Sequence, residues 1–225
     1  MLNRLVRKIK GEGYVIDKRI PVTCFMRLLF SRSLSLIWGC IRLRTHKVVF
    51  VHPTSVLKCP SKINHGKGLS VGRNCYIDAL SELGLECGNN VSVGDNTYIE
   101  LTGSLRYLGK GMRIGNNVGL GTHGRYGSGM GFVEIGDDTI FGNYVSIHPE
   151  NHNFSDMNTS IRLQGVNGVG VKIGRDCWIG AKVTILDGTI LGDGCVVAAG
   201  AVVRGEFPNN SVIGGVPAKI LKMRK

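Results

Sequence analysis

Large aliphatic residues fall at Ile173, Ile179, Ile185, Leu191, Val197 and Val203, six apart without a slip. The positions that follow hold Gly174, Gly180, Leu186, Gly192 and Ala198. Four places after the aliphatics stand Cys177, Val183, Thr189, Cys195 and Ala201, all small or β-branched. A helix repeats its buried face every 3.6 residues and a strand every 2, so neither alone carries this pattern. A short strand followed by a tight corner does, and the spacing predicts a solenoid of hexapeptide strands that stacks on itself. The same aliphatic-then-small step returns in broken phase at Val71, Val93, Ile99, Ile114, Leu120, Ile135, Phe141 and Ile147. From Ile147 to Ile173 is 26 residues, two more than four hexads. Residues 148–170 are therefore expected to loop out of the coil, and that insertion is where chemistry is expected.

Outside the coil the pattern changes. Residues 1–19 are polar and basic and read as a loosely ordered lead-in. From Val22 to Ile41 apolar residues recur at helical spacing, at Val22, Phe25, Met26 and Leu29, then at Leu34, Ile37, Trp38 and Ile41. Arg27 and Arg32 interrupt the run. Each arginine near a bilayer centre costs about 2.5–3.5 kcal/mol, so spanning is disfavoured. No small-residue cleavage site follows, so a signal peptide is not expected. The helix either covers the open edge of the first coil or lies as a basic amphipathic helix on an anionic membrane, and the two readings are compatible. The chain thus divides into a basic helical extension (1–47), an all-β coil (48–203) and a basic tail (204–225). Irregular segments are expected near 79–91, 102–113 and 122–133; the last is glycine-rich and reads either as a pocket-lining loop or as turns.

Composition refines this picture at three points. The 33 glycines suit a corner every six residues, while 43% hydrophobic residues exclude low-complexity disorder. The seven cysteines contain no C-x-x-C pair. Cys177 and Cys195, one three-sided turn apart at inward positions, read as buried free thiols of a reducing cytosol. The net charge of +12 sits at the ends: residues 1–50 carry eleven Lys/Arg against two Asp/Glu, and residues 219–225 four against none. That placement suits a polyphosphate ligand or an acidic membrane surface, and no nucleic-acid motif accompanies it.

The hexads, the looped-out Asn151-His152-Asn153-Phe154, the Cys177-Trp178-Ile179-Gly180-Ala181 step and the Gly215-Val216-Pro217-Ala218-Lys219 tail resemble the left-handed β-helix acetyltransferases. Within them the chain is most similar to the galactoside, maltose and xenobiotic acetyltransferase branch, which includes the O-acetyltransferases of bacterial surface polysaccharides. The resemblance covers roughly Val48 to Lys225. It implies left-handed coils, a homotrimer with active sites between subunits, acetyl-CoA as donor and a sugar or glycan acceptor, without a metal.

In that family one histidine of the looped-out segment is the general base, 17 residues after the aliphatic opening the preceding Ile-Gly-Asp hexad; from Ile135 this falls on His152. A sugar hydroxyl must lose its proton as it attacks a thioester, and an imidazole accepts that proton at neutral pH for about 10²–10⁴ in rate. Glu150 or Asp156 stands near enough in sequence to orient the ring, and His148 is the rival base. The resemblance also puts Trp178, Gly180 and the Ala181 amide beside the thioester. It lays the pantetheine arm against Ala199, Gly200 and Ala201, and offers Arg204, Lys219, Lys222 and Arg224 to the CoA phosphates. A zinc site on His123, His148 and His152 does not match the three-histidine spacing of the carbonic anhydrases built on this helix.

The chain departs from the sugar acetyltransferases on the acceptor side. Their acidic residue before the Ile-Gly-Asp hexad is replaced here by Ser128-Gly129-Met130-Gly131. His123, Arg125, Tyr126 and Asn151 are the expected acceptor contacts. The expected reaction is O-acetylation of a sugar hydroxyl in surface glycan synthesis, cytoplasmic or at the inner membrane face. The alternatives are acetylation of an amino-sugar nitrogen or of serine, and a non-enzymatic scaffold.

Overall fold

The computed structural model describes residue 17 and residues 19–225, so the basic lead-in expected over 1–19 lies almost wholly outside the described residues. These divide into two compact units, one ending at Leu34 and the other beginning at Ser35, within the helix α1 (Val22–Leu43). In the first unit Asp17 and Arg19 pair at 2.5 Å and α1 exposes Val22, Met26 and Phe30.

The second unit is a left-handed parallel β-helix of three faces. The first face stacks Val49–Val51, Leu69–Val71, Ser92–Val93, Gly119–Leu120, Ile140–Phe141, Trp178–Ile179, Val196–Val197 and Ser211–Gly215. The second stacks Val56–Lys58, Tyr76–Asp78, Tyr98–Glu100, Arg125–Gly127, Ser146–His148, Thr184–Leu186 and Val202–Val203. The third runs from Ile63–His65 to Glu206–Phe207. Every hexad aliphatic from Ile173 to Val203 is at most 1% exposed, as are Cys177, Val183, Thr189, Cys195 and Ala201. The period of six is thus two inward positions per face, joined by corners.

Both ends of the coil are closed. Ser35 and Gly39 of α1 are buried, and a Cβ on Gly39 would lie 2.9 Å from the Val49 carbonyl, so only glycine lets the helix rest on the edge strand. Arg42 donates to Leu57 O at 3.2 Å. At the far end Ala218–Met223 folds back antiparallel on Ser211–Gly215. An edge covered in this way cannot template further strands.

The three edges of the prism are not alike. Between first and second faces the connection is always four residues, from 52–55 to 198–201. Between third and first it is three or four. The large length changes all fall between second and third: 79–84, 101–111, 149–170, then only 187–188 and 204–205. Two expectations are corrected here. Residues 122–133 are not a glycine-rich loop: they make a corner, the strand Arg125–Gly127 and a second corner. Of 79–91, only 79–84 leave the ladder, because Leu85–Cys87 pairs on both sides.

Candidate active site

The looped-out segment leaves the coil after His148. Asn151–His152 pairs antiparallel with Val166–Asn167, and a short 3-10 turn follows at Ile161–Leu163. One buried carboxylate ties its two roots. Asp187, 4% exposed, accepts the amides of Val169 and Gly170 with Oδ1, both at 2.8 Å, and the Asn151 side-chain amide with Oδ2 at 2.8 Å. His152 is the next residue and is exposed. Asn151, expected as an acceptor contact, thus spends its amide on positioning. Asp187 was not singled out by the sequence; its only mark there is an Asp-Gly pair in a shortened corner.

Neither carboxylate considered as the orienter of His152 is placed to do so. Glu150 accepts the Met130 amide at 3.0 Å. Asp156 is held below the usual carboxylate range by hydrogen bonds from Thr159 and Asn158. His123 stands at the edge between first and second faces, its ring stacked on Tyr144 at 4.8 Å, so it does not converge with His148 and His152. Among the described residues no group of three or more His, Cys, Asp or Glu is placed to hold a metal ion.

A second element of the site is a gap in a ladder. At many corners the amide that follows the hexad glycine is accepted by an Asx side chain from the next coil; Asp95 and Asp137, with Thr122 and Arg175 above them, are single exceptions. Arg73 N donates to Asp95, Asn89 N to Asn116, Asn116 N to Asp137, Thr122 N to Asn143, Arg175 N to Asp193 and Asp193 N to Asn209, at 2.6–3.1 Å. Above Asn143 the next residue in this column is Ala181, and above Ala181 it is Ala199, neither with a side-chain oxygen. Among the described residues the amides of Asn143, Ala181 and Ala199 find no acceptor, the one place where consecutive rungs are missing. Trp178, 56% exposed, stands on the first face below this corner. Gly180 is buried against the Ala199 backbone, while Ala199 and Gly200 are exposed and a Cβ on Gly200 would meet nothing within 4 Å. The result is a shallow trench of small residues with amides along its floor.

A third element lies on the second face. A notch of about 180 Å³ is lined by Tyr98, Glu100, Arg125, Tyr126, Gly127, Ile147 and His148. Gly127 makes it, because it takes an outward position flanked by Glu100 and His148 and contributes no side chain. Arg125 lies over the Tyr98 ring at 4.5 Å. Two carboxylates from elsewhere in the chain stand close by, Glu100 in the notch and Glu150 against Met130.

Three expected residues are corrected. Tyr126 offers no hydroxyl to an acceptor: in Arg125–Gly127 it takes the inward position, 2% exposed, edge-on to Phe141 at 5.8 Å, and meets the notch only at its back. Among the described residues its hydroxyl has no partner, and burial pushes its pKa above the ordinary tyrosine range. Ala201 turns its methyl into the core at 1% exposure, so only Ala199 and Gly200 face the trench. Arg224 is engaged across another edge, donating to Gly194 O at 2.7 Å and pairing with Asp176 at 3.3 Å. Arg204, Lys219 and Lys222 remain exposed.

The comparisons with known proteins agree with this architecture. The family described as bacterial transferase hexapeptide (six repeats) matches residues 170–205. A Mycobacterium tuberculosis protein named a probable acetyltransferase is 38% identical over 157 residues, 69% of this chain and 50% of that protein; the chain thus spans half the length of that relative. The Escherichia coli protein WbbJ, named for O-acetyl transfer in lipopolysaccharide biosynthesis, is 32% identical over 167 residues, 71% of each chain. Among solved structures, an AntD variant, an N-acyltransferase from Bacillus cereus in complex with dTDP and coenzyme A, superposes with a TM-score of 0.55. It is 20% identical and covers 80% of this chain and 82% of that one, which speaks for the fold alone.

Proposed function

Because the chain belongs to the hexapeptide-repeat acetyltransferases, we propose that it transfers acetyl from acetyl-CoA to a hydroxyl of a sugar or glycan acceptor. The observation that carries this reading is the Ala181 amide, in the middle of three consecutive rungs, Asn143, Ala181 and Ala199, that have no acceptor among the described residues. A fixed N–H with no internal partner is a ready donor for an oxygen that gains charge during acyl transfer. Acetyl-CoA supplies the activated acyl group. Ala199 and Gly200 leave room along the trench for its arm, and Lys219, Lys222 and Arg204 offer exposed cations for its phosphates.

His152 takes the proton from the attacking hydroxyl and returns it to the departing sulfur. The hydroxyl oxygen bonds to the carbonyl carbon, the C–S bond breaks, and the Ala181 N–H holds the carbonyl oxygen between. Asn151 and Asp187 fix the arm that carries the imidazole. The notch beside His148 takes the acceptor, with Glu100 receiving hydroxyls and the Tyr98 and Arg125 pair offering a flat face.

We infer that these parts meet between chains. Ala181 lies in the corner before the strand Thr184–Leu186 and Asp187 in the corner after it, on opposite edges of the second face. A general base must come within about 3 Å of the proton it abstracts. His152 of one chain therefore works with the Ala181 trench of a neighbour, which a closed ring of three copies provides. The enzyme acts in the cytoplasm, in the assembly of a surface glycan.

The test is release of CoA thiol from acetyl-CoA with a panel of sugars, amino sugars and serine. Turnover with sugar hydroxyls is expected, and His152→Ala should cut it by about 10²–10⁴ with CoA binding and assembly intact. Full turnover in the variant removes the base. Release only with an amino sugar or serine replaces the O-acetyl reading by the N-acetyl or serine one.

A further inference from the structure

Helix α1 presents far more apolar surface outward than a helix that serves only the coil needs. A helix covering a core turns its large apolar residues inward and its small or polar ones out. Here Ser35 and Gly39 are buried and Cys40 and Leu43 pack against the core, while Ile37, Trp38 and Ile41 are 59%, 36% and 63% exposed. Toward the N-terminus Val22, Met26, Leu29, Phe30 and Leu34 are exposed as well. The helix holds no acidic residue, and its cations Arg27, Arg32 and Arg42 belong to a stretch of fifty residues with eleven Lys/Arg against two Asp/Glu.

We propose that α1 docks the protein on an anionic lipid bilayer, lying in the headgroup region with its large apolar residues in the acyl boundary. An apolar stripe bordered by arginines, with no carboxylate to repel phosphate, has the composition of an interfacial helix. By length and composition α1 is apolar enough to cross a membrane, but its mounting opposes that. Residues 35–43 are held on the first coil through Gly39 at Val49 and Arg42 at Leu57. Only the thirteen residues Val22–Leu34 precede them, about 20 Å of helix against a hydrocarbon core of about 30 Å. The bilayer is favoured over a second copy of this chain because the helix is cationic, and two copies facing one another would bring like charges together. An acceptor carried on lipid would be delivered to a coil held at that surface. Docking itself does not depend on the acetyl-transfer reading.

The experiment is flotation of the full chain with vesicles of phosphatidylcholine alone or mixed equally with phosphatidylglycerol. Binding to the anionic vesicles, weakened by salt, is expected, with little to the neutral ones. Ile37→Ser with Ile41→Ser should weaken it by about tenfold or more at unchanged oligomeric mass. Arg27→Glu, which leaves the apolar stripe intact, should weaken it less and flatten the salt dependence. No flotation with either vesicle overturns the proposal. So does loss of oligomeric mass in the Ile37/Ile41 variant, which assigns the stripe to a second copy, and so does retention after alkaline carbonate, which makes the helix a span. Thiol release with a soluble acceptor, measured without vesicles, reads the chemistry separately, so docking and catalysis fail independently.

Discussion

Ala199→Asn should stabilise the protein and disable it in one step. At every regular corner the backbone of the next coil approaches within the same narrow range: a Cβ on Gly174 would lie 2.7 Å from Asp193 N, one on Gly192 2.6 Å from Asn209 N, and one on Gly180 2.6 Å from Ala199 N. Asp193 and Asn209 use that approach to accept the amide below them, at 3.0 and 2.9 Å. An asparagine at 199 in the same rotamer restores the missing rung by accepting the Ala181 N–H. One added hydrogen bond is worth about 0.5–1.5 kcal/mol, a rise in Tm of about 1–6 °C for a chain of this size. If Ala181 is the oxyanion donor, the same bond removes it, and loss of one such donor lowers kcat by about 10²–10³. Ala199→Val is the control, since it adds bulk without an acceptor. Thermal melting, CoA affinity by calorimetry and thiol release measure the three quantities. The reasoning is refuted if Ala199→Asn melts higher yet turns over at the wild-type rate, or if Ala199→Val loses as much activity.

Four further outcomes follow from the geometry. Asp187→Asn places an amide against the Asn151 amide and should lower kcat by about 10²-fold through a misplaced loop, whereas Asn151→Asp in the same chain restores the donor–acceptor match; kinetics of the single and double variants measure the recovery. Tyr126→Phe removes a buried hydroxyl without a partner and should stabilise by about 1 kcal/mol in urea unfolding with activity unchanged. Burial pushes the Cys87 thiol from 9.0 to about 12, so above pH 9 the unfolded chain releases a proton that the folded chain keeps. Stability is therefore fully present below pH 9 and falls as pH rises from 9 to 12, by about 1.4 kcal/mol per unit, and melting of Cys87→Ala across that window should show a shallower fall. Lys219→Ala and Lys222→Ala should each raise KM for acetyl-CoA about three- to tenfold, less at high salt, in steady-state assays.

The sequence was most legible where periodicity and burial coincide. Ile173 to Val203 marks strands, corners and inward positions together, because each inward residue must be apolar and each corner small. It was less legible at Tyr126, whose polar group suggested a ligand contact while the alternation of Arg125–Gly127 turned it inward. The notch of Tyr98, Glu100, Gly127 and His148 draws on three coils, and a one-dimensional pattern does not show which residues of different coils are stacked. Asp187 escaped for a related reason: its partners are 17, 18 and 36 residues away, across an insertion of variable length. The vacancy at Ala181 can be read only against the occupied rungs elsewhere, once the register between coils is known.

Confining the large changes of connection length to a single edge of the prism separates two kinds of evolutionary freedom. Segments there can grow, shrink or be exchanged without shifting the register of any strand, whereas one inserted residue at either other edge would misalign every coil above it. A lineage built this way can try new loops on one seam while the Ala181–Ala199 column, on a seam of fixed length, stays in frame.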